Sequence, residues 1–343
     1  MRGCEKIKIA NGFCICKLPP VCMQNKKEKK IKLKTPPISV SNSVMPTITL
    51  FDRVRKLHTK AILRPCKVTQ RKASKALFKE AKQNKCCCSG NYPGTELQRV
   101  TVPNDKIAWE IPFDEYKPLE YSAMSTSVNI CGTVETETDP VGFNDGFNPK
   151  FNTLDGLIDR RSCTGEYLVV DGRPLNPVGR TGIAGKGSLA RWGPNHRVFV
   201  LITRLNMEEV SKNLMQADSL EFTEILACRS ITGTWSLPNG FVNSPHLALT
   251  SELDALLKSR LSKSLSVAGA EKRFRKALKH KELVLQSYYD DARNTDNAWV
   301  EVTVYEFAYQ YGFGDLVFEN ENNTLGLQWR KFSENPLGYD MFK

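Results

Sequence analysis

The sequence lacks any hydrophobic run long enough to cross a membrane as a helix. Its longest apolar stretch, Val198-Phe199-Val200-Leu201-Ile202, falls far below the roughly 18 residues that a spanning helix needs. A stretch of this length is typical of a buried strand, and the chain also lacks an apolar signal segment. We therefore predict a protein without a transmembrane segment, either soluble or peripherally attached to a surface.

Paired metal-ligand spacing is also missing. The chain has only 4 histidines, and its 11 cysteines do not form the paired C-x2-C pattern of a zinc site. The clusters Cys14-Ile15-Cys16 and Cys86-Cys87-Cys88 have no histidine partners nearby. An odd number of cysteines without a signal segment favours free thiols in a reducing compartment. These features argue against a zinc finger and against a secreted disulfide scaffold.

Acidic residues are scarce in the first quarter of the chain. Residues 1–90 hold 22 Lys and Arg against 4 Asp and Glu, and the totals of 49 and 37 leave 27 and 33 for the remainder. The excess positive charge therefore belongs to a basic tail, which we predict to be disordered, and not to the mildly acidic folded part. Nucleic acid is consequently not an expected partner of the folded part. The tail is a candidate for contact with an anionic surface or for organelle targeting, so we predict a mitochondrial or cytoplasmic location.

Beyond residue 90 the pattern predicts strands and helices in mixed order. The Gly-rich segment 179–188 lacks the spacing of a phosphate-binding loop, and we predict a tight surface turn there. Leucines at helical spacing predict an amphipathic helix from Leu247 to Leu261. A basic helical segment is predicted from Ala270 to Lys281.

The most informative segment is Asp290–Trp299, which holds three carboxylates, one guanidinium, two amides and a hydroxyl. It lies between two segments that read as strands, 282–289 and 300–305, because apolar and polar residues alternate in both. A polar loop between strands is a common place for binding residues. The alternative is a self-bonded network that only joins the two strands.

Several segments in one order resemble a known family. They are Tyr92-Pro93-Gly94, 102–106, 176–182, 193–196 and 290–299. Together they are similar to the ADP-ribose pyrophosphatases of the Nudix superfamily, of the animal mitochondrial type, and to the related domain of ADP-ribose-gated melastatin-type channels. The resemblance implies an α/β fold, in which a Nudix α-β-α sandwich with a mixed sheet (191–343) packs against a smaller N-terminal α+β domain (91–190) that helps to form the cleft.

The resemblance also implies a ligand, ADP-ribose, with Asp291 and Arg293 in contact with it. A planar guanidinium suits a phosphate, whereas carboxylates such as that of Asp296 and the amide of Asn297 suit ribose hydroxyls. Further candidate ligand-binding residues are Arg180, Asn195 and His196. A lone histidine such as His196 is more often a structural histidine than a catalytic base.

The metal-binding helix of the family departs from its pattern in this chain. The signature is G-x5-E-x7-R-E-U-x-E-E-x-G-U, with U aliphatic, and its glutamates share a helix face that holds Mg²⁺. Aligned on Gly240, the glutamate places are filled by His246, Ala255, Lys258 and Ser259. A three-residue deletion would place Glu252 in a metal-binding position but would supply no further carboxylate. Asn239-Gly240 also stands where relatives carry two glycines.

Three functions follow as hypotheses. The first is a hydrolase that converts ADP-ribose to AMP and ribose 5-phosphate with Mg²⁺, its activity weakened or lost. The second is a pseudoenzyme that binds ADP-ribose as a sensor. The third is a scaffold that binds no nucleotide. The missing carboxylates favour the second over the first, and the intact polar loop favours the second over the third.

Overall fold

A computed structural model describes ten segments of the chain, and the chain divides into two compact units, Met1–Ala73 and Ser74–Lys343. Within the first unit, a short antiparallel pair joins β1 (Lys6–Lys8) to β2 (Cys14–Cys16). Apart from these strands and Gly90, the predicted basic tail lies outside the described residues. These are 6–8, 14–16, 90–124, 138–143, 146–206, 223–229, 233, 235–307, 313–318 and 326–331.

The second unit begins with short strands that make small two-stranded sheets. β3 and β8 pair in parallel, whereas β4 with β5 and β6 with β7 form antiparallel pairs. One turn of 3-10 helix covers Asn104–Lys106. The bounds are β3 (Leu119–Ser122), β4 (Leu154–Asp155), β5 (Ile158–Asp159), β6 (Val169–Val170), β7 (Arg173–Pro174) and β8 (Ile183–Gly187).

A seven-stranded mixed sheet forms the centre of this unit. Its main order is β11-β10-β9-β14-β13, while β12 also pairs with β9 and β15 with β10. The β9–β14 pair is parallel and its other pairs are antiparallel. The bounds are β9 (Gly193–Leu205), β10 (Thr223–Arg229), β11 (Trp235–Ser236), β12 (Asn239–Val242), β13 (Glu282–Tyr289), β14 (Ala298–Phe307) and β15 (Leu327–Lys331).

The two central strands carry buried apolar residues on both faces. On β9, Val198 and Val200 point into the core that the helices cover, and Phe199 points to the opposite face. On β14, Val302 lies on the same face as Phe199, and Tyr305 lies on the helix face. Alternation along a strand separates these sets. The strands predicted from the alternating pattern on either side of the polar loop are confirmed.

Two helices, α1 (Ser251–Ser264) and α2 (Val267–Lys279), lie on one face of the sheet. The Thr250 hydroxyl caps α1 by accepting a hydrogen bond from the Leu253 amide, so the helix starts four residues later than the leucine spacing predicted. Ser266 caps α2 in the same way through the amide of Gly269. Both predicted helices are confirmed, with shifted ends.

The α/β class with a mixed sheet is confirmed. In the described residues both helices contact the same sheet face, and no helix there covers the other face. Residues 91–190 and 191–343 both belong to the unit Ser74–Lys343, so the division between them stays a prediction. None of the helices in the described ranges is long and apolar enough to span a bilayer.

The Gly-rich segment was predicted wrongly as a surface turn. Its second half is β8, which is largely buried and pairs with β3. The glycines are needed because a Cβ at Gly185 would collide with the Tyr121 carbonyl oxygen and one at Gly187 with the Tyr92 hydroxyl. Spacing alone could not reveal these close approaches, since they involve residues more than sixty positions away.

The packing of α1 gives a first testable prediction. Leu257 is fully buried against the sheet, so Leu257→Ala is expected to lower the free energy of unfolding by about 2–5 kcal/mol through lost burial and a cavity. Ser259→Ala, at an exposed position of the same helix, is expected to change it by less than about 0.5 kcal/mol. Urea denaturation followed by circular dichroism measures both, and equal effects would contradict the described packing.

Candidate functional site

The polar loop at residues 290–297 follows β13 and leads directly into β14, as predicted. It lies at the end of the sheet where β9 and β14 both begin, because Ala298 is in register with Gly193. Most of its polar side chains are buried, and their hydrogen bonds reach into the segment before residue 190. We call residues 290–297 the recognition loop.

Asp296 connects the recognition loop to two earlier segments. Its carboxylate accepts hydrogen bonds from the Thr181 amide at 2.7 Å, the Thr181 hydroxyl at 2.8 Å and the Tyr116 hydroxyl at 2.6 Å. Burial raises the pKa of Asp296 to about 6, even though these donors act to lower it. The side chain thus has a strong structural role, and its contact with a ligand stays a prediction.

Asn297 and Asn294 fix the rest of the loop. The Asn297 side chain accepts from the Gly185 amide at 2.8 Å and donates to the Pro174 carbonyl at 2.9 Å. The Asn294 side chain donates to the Tyr288 hydroxyl and accepts from the Val300 amide. These bonds attach the loop to β7, β8 and its own flanking strands. A ligand contact by Asn297 therefore also stays a prediction.

Arg180 and Asn195 are likewise engaged within the chain. The Arg180 guanidinium donates to the carbonyls of Lys106, Ala108 and Ile111. It also lies against three aromatic rings, at 5.0 to 5.9 Å from their centres. The Asn195 side chain bonds the backbone of Arg191 and Gly193. The structure therefore places neither side chain with the exposed part of the recognition loop, and their binding roles stay predictions.

His196 is buried on the helix face of the sheet. Its Nε2 is 2.8 Å from the Asp159 carbonyl oxygen, so Nε2 carries the proton. Its Nδ1 lies 3.8 Å from a carboxylate oxygen of Glu301 and makes no hydrogen bond. Burial lowers the pKa of His196, although the nearby Glu301 charge acts to raise it. The lowered pKa keeps the ring neutral at physiological pH. The geometry favours a structural histidine.

Asp291 is buried and pairs with Arg293, whose side chain is partly exposed. Arg293 binds Asp291 with both Nε and Nη2, at 2.8 and 2.7 Å, and 27% of its side chain is exposed. Burial acts to raise the pKa of Asp291, but the hydrogen bonds and charge of Arg293 outweigh it and hold the pKa below its ordinary value. The pair presents a guanidinium in a fixed orientation, which suits a phosphate.

Arg197 is a residue that the sequence interpretation did not select. Its Nε and Nη2 both donate to the Asn239 side-chain oxygen, at 3.0 and 2.7 Å. It lies beside Phe199 and Phe241, and Phe241 also contacts the Arg293 guanidinium. An arginine directly before the apolar run 198–202 was the available signal. Its significance was hidden because Asn239, Phe241 and Arg293 are distant in sequence.

Comparison with known proteins places this chain in a family. A family model described as NUDT9-like, N-terminal domain, matches residues 102–193. The chain is 34% identical over 255 residues to a rat protein named ADP-ribose pyrophosphatase, mitochondrial, with 71% of each chain covered. The chain belongs to the Nudix family. This Nudix protein is also 30% identical over 251 residues to putative nudix hydrolase 6 of Caenorhabditis elegans, covering 72% of this chain and 88% of that one.

Other relatives match only a part of much longer proteins. Rat transient receptor potential cation channel subfamily M member 2 is 34% identical over 224 residues, which are 64% of this chain and 14% of the channel. Among solved structures, a MutT/nudix family protein from Enterococcus faecalis has 16% identity and a TM-score of 0.22, covering 40% of this chain and 43% of that one. The family assignment rests on the sequence identities with the longer coverage.

The Nudix helix of this protein does not fit a divalent metal ion. Glu252 lies in the first turn of α1, and Asp254 is paired with Lys258 at 2.6 Å. That hydrogen bond raises the pKa of Lys258. The Lys258 side chain therefore stays positively charged at a place where the signature has a glutamate. Across the described ranges no group of three or more His, Cys, Asp or Glu side chains could hold a metal. Glu252 as a metal ligand therefore stays a prediction.

Proposed function

We propose that this Nudix protein binds ADP-ribose and hydrolyses it slowly or not at all. The observation that carries the proposal is a contrast within one site. The Asp291–Arg293 pair is formed and its Arg293 side chain is partly exposed, whereas α1 presents Lys258 paired with Asp254 where a catalytic Nudix helix presents carboxylates. Recognition groups are thus present without the ligands that would bring Mg²⁺ to the diphosphate.

Support for ADP-ribose as the ligand comes from the names of the relatives. The rat relative is named as a mitochondrial ADP-ribose pyrophosphatase, and this chain covers 71% of it. We accordingly propose a mitochondrial or cytoplasmic location, with the basic tail as a possible contact to an anionic surface. The second candidate function is Mg²⁺-dependent hydrolysis to AMP and ribose 5-phosphate, which the same relationship favours. It would require a metal site built without the usual glutamates.

The test combines binding and turnover on one sample. The full chain is titrated with ADP-ribose in a calorimeter, with and without Mg²⁺, and the contents are then assayed for AMP. We expect saturable binding without AMP, while the rat pyrophosphatase assayed in parallel yields AMP. Mg²⁺-dependent AMP that disappears in Glu252→Gln would establish a reduced metal site and contradict the proposal. If the titration gives no heat of binding and the assay finds no AMP, the scaffold role remains.

A further inference from the structure

Two side chains from a distant part of the chain hold the backbone of the recognition loop. The Nη2 atom of Arg99 donates to the carbonyl oxygens of Ala292 and Asn294, at 2.7 and 3.0 Å. The hydroxyl of Tyr92 donates to the carbonyl oxygen of Arg293 at 2.9 Å. Three successive carbonyl groups are thus bound by side chains that precede them by 193 to 201 positions. We call the side chains of Tyr92 and Arg99 the clasp.

The two side chains of the clasp are buried and contact each other. Tyr92 is fully buried, Arg99 is 3% exposed, and the guanidinium carbon of Arg99 lies 5.1 Å from the centre of the Tyr92 ring. Among the described residues, the hydrogen bonds of the Arg99 side chain all go to carbonyl oxygens, the third being that of Thr181 at 2.8 Å. A planar guanidinium directs several N–H groups at fixed angles, so Arg99 is suited to hold one backbone shape.

The Gly-rich segment 179–188 leaves room for the clasp. A Cβ at Gly182 would collide with the Val100 carbonyl oxygen, and one at Gly187 would collide with the Tyr92 hydroxyl. Both glycines have a positive φ, of 83° and 63°, which other residues rarely adopt. A larger residue at either position would therefore displace the clasp from the recognition loop.

Thr181 connects the clasp to the far end of the recognition loop. Its carbonyl oxygen accepts a hydrogen bond from Arg99, while its amide and hydroxyl donate to the Asp296 carboxylate. The loop is thus held at residues 292–294 by the clasp and at Asp296 through Thr181. A loop whose backbone is already fixed loses less conformational entropy when a ligand binds than a loop that has first to become ordered.

We propose that Arg99 is a positioning residue for ADP-ribose binding, because the clasp that it forms with Tyr92 fixes the conformation of the recognition loop before the ligand arrives. This inference rests on the proposed function and adds the part of the chain that prepares the loop for the ligand. Arg99 acts through the backbone of the loop and not through a contact with the ligand. Without the clasp, the peptide groups of residues 292–294 are free to rotate, and binding has to order them at a cost in affinity.

The experiment compares the full chain with its Arg99→Lys variant. Lysine keeps the positive charge but lacks the planar fork. In calorimetric titrations with ADP-ribose, we expect the dissociation constant of the variant to rise by about tenfold or more. In hydrogen–deuterium exchange, we expect the amides of residues 290–297 to exchange faster than in the wild type, while those of β14 keep the wild-type rate.

Ile202→Ala is the matched control for a general loss of stability. Ile202 is fully buried on β9 and is in register with Phe307, at the end of β14 away from the recognition loop. Its replacement is expected to lower the melting temperature but to leave the affinity of the folded protein unchanged. If Ile202→Ala and Arg99→Lys lose affinity equally and exchange faster throughout the sheet, the role of Arg99 is purely structural and the proposal is overturned.

Tyr92→Phe is the second variant and decides the proposal if Arg99→Lys does not fold. It keeps the aromatic ring and removes the hydroxyl that binds the Arg293 carbonyl group. We expect a smaller loss of affinity, about fivefold, with faster exchange confined to the recognition loop. Thermal melting verifies that each variant is folded. Wild-type affinity in every folded variant of the clasp would overturn the proposal.

The behaviour of the wild type separates this inference from the proposed function. If the wild type binds ADP-ribose and Arg99→Lys binds it equally well, the positioning role is overturned and the proposed function is left intact. If the wild type gives no heat of binding with ADP-ribose, the proposed function is overturned and hydrogen–deuterium exchange alone decides the clasp. Faster exchange confined to residues 290–297 in Arg99→Lys then supports it, and unchanged exchange there overturns it.

Discussion

Arg293→Ala is expected to weaken ADP-ribose binding by about 100-fold or more, because two charge-assisted hydrogen bonds to one ligand are lost. Arg293 is the partly exposed cation of the recognition loop, and Asp291 holds its guanidinium through two bonds. Arg293→Lys keeps a point charge without the fork, so its loss should be smaller, about tenfold. Isothermal titration calorimetry at neutral pH measures both changes.

A matched surface variant separates binding from general damage. Arg273 pairs with Asp315 at 2.7 Å on the exposed side of α2, away from the recognition loop. Arg273→Ala should therefore leave the affinity unchanged. Because Arg293→Ala also leaves the buried Asp291 carboxylate without its partner, thermal melting must accompany the titration. An Arg293→Ala protein that is folded and binds within twofold of wild type would remove this arginine from the site.

Asp296→Ala is expected to lower the free energy of unfolding by about 3–5 kcal/mol, since three donors lose their acceptor in a buried place. The donors are the amide and hydroxyl of Thr181 and the hydroxyl of Tyr116. Tyr116→Phe removes one of them and should cost about 1–2 kcal/mol. Urea denaturation gives both values. A loss below 1 kcal/mol for Asp296→Ala would show that the recognition loop is held in place by other contacts.

Asp296 is also expected to make the free energy of unfolding depend on pH. Burial raises the pKa of Asp296 to about 6 in the native state, whereas an unfolded aspartate titrates near about 3.9. The native state then binds the proton more tightly, so this contribution is fully present below about pH 4 and is lost as the pH rises through about 6.

Asp296→Asn removes this titration and is the variant that tests it. On acidification from pH 7 to pH 4, the wild type should gain up to about 2–3 kcal/mol relative to the asparagine variant. The measurement is a series of urea denaturations at constant ionic strength. A difference between the two proteins that does not change with pH would show that Asp296 stays ionised throughout.

The polar loop and its flanking strands were predictable because their information is local. Alternating residues from 282 to 289 and from 300 to 305 predicted strands, and β13 and β14 occupy these positions. The helices were predictable for the same reason, from leucine spacing and from a basic amphipathic pattern. Their ends were not, because caps at Thr250 and Ser266 set them.

The individual roles of the candidate residues were much harder to predict. A loop rich in Asp, Asn and Arg is consistent both with ligand binding and with self-bonding, and only the structure shows which of its side chains bond within the chain. Asp296 and Asn297 make hydrogen bonds within the chain, while Arg293 reaches solvent. Arg180 provides a second example, since its carbonyl and aromatic partners precede it by about seventy residues.

The sequence by itself determined the family, the order of strands and helices, and the absence of the signature glutamates from their places in the Nudix helix. These properties depend on residue types at short spacing, which the chain carries whether or not it is folded. Only the tertiary structure decided which polar side chains are buried in hydrogen bonds within the chain and which are partly exposed to solvent. It also brought Arg197, Phe241 and Arg293 together, because pairing of β9 with β12 and the position of the recognition loop join residues far apart in sequence.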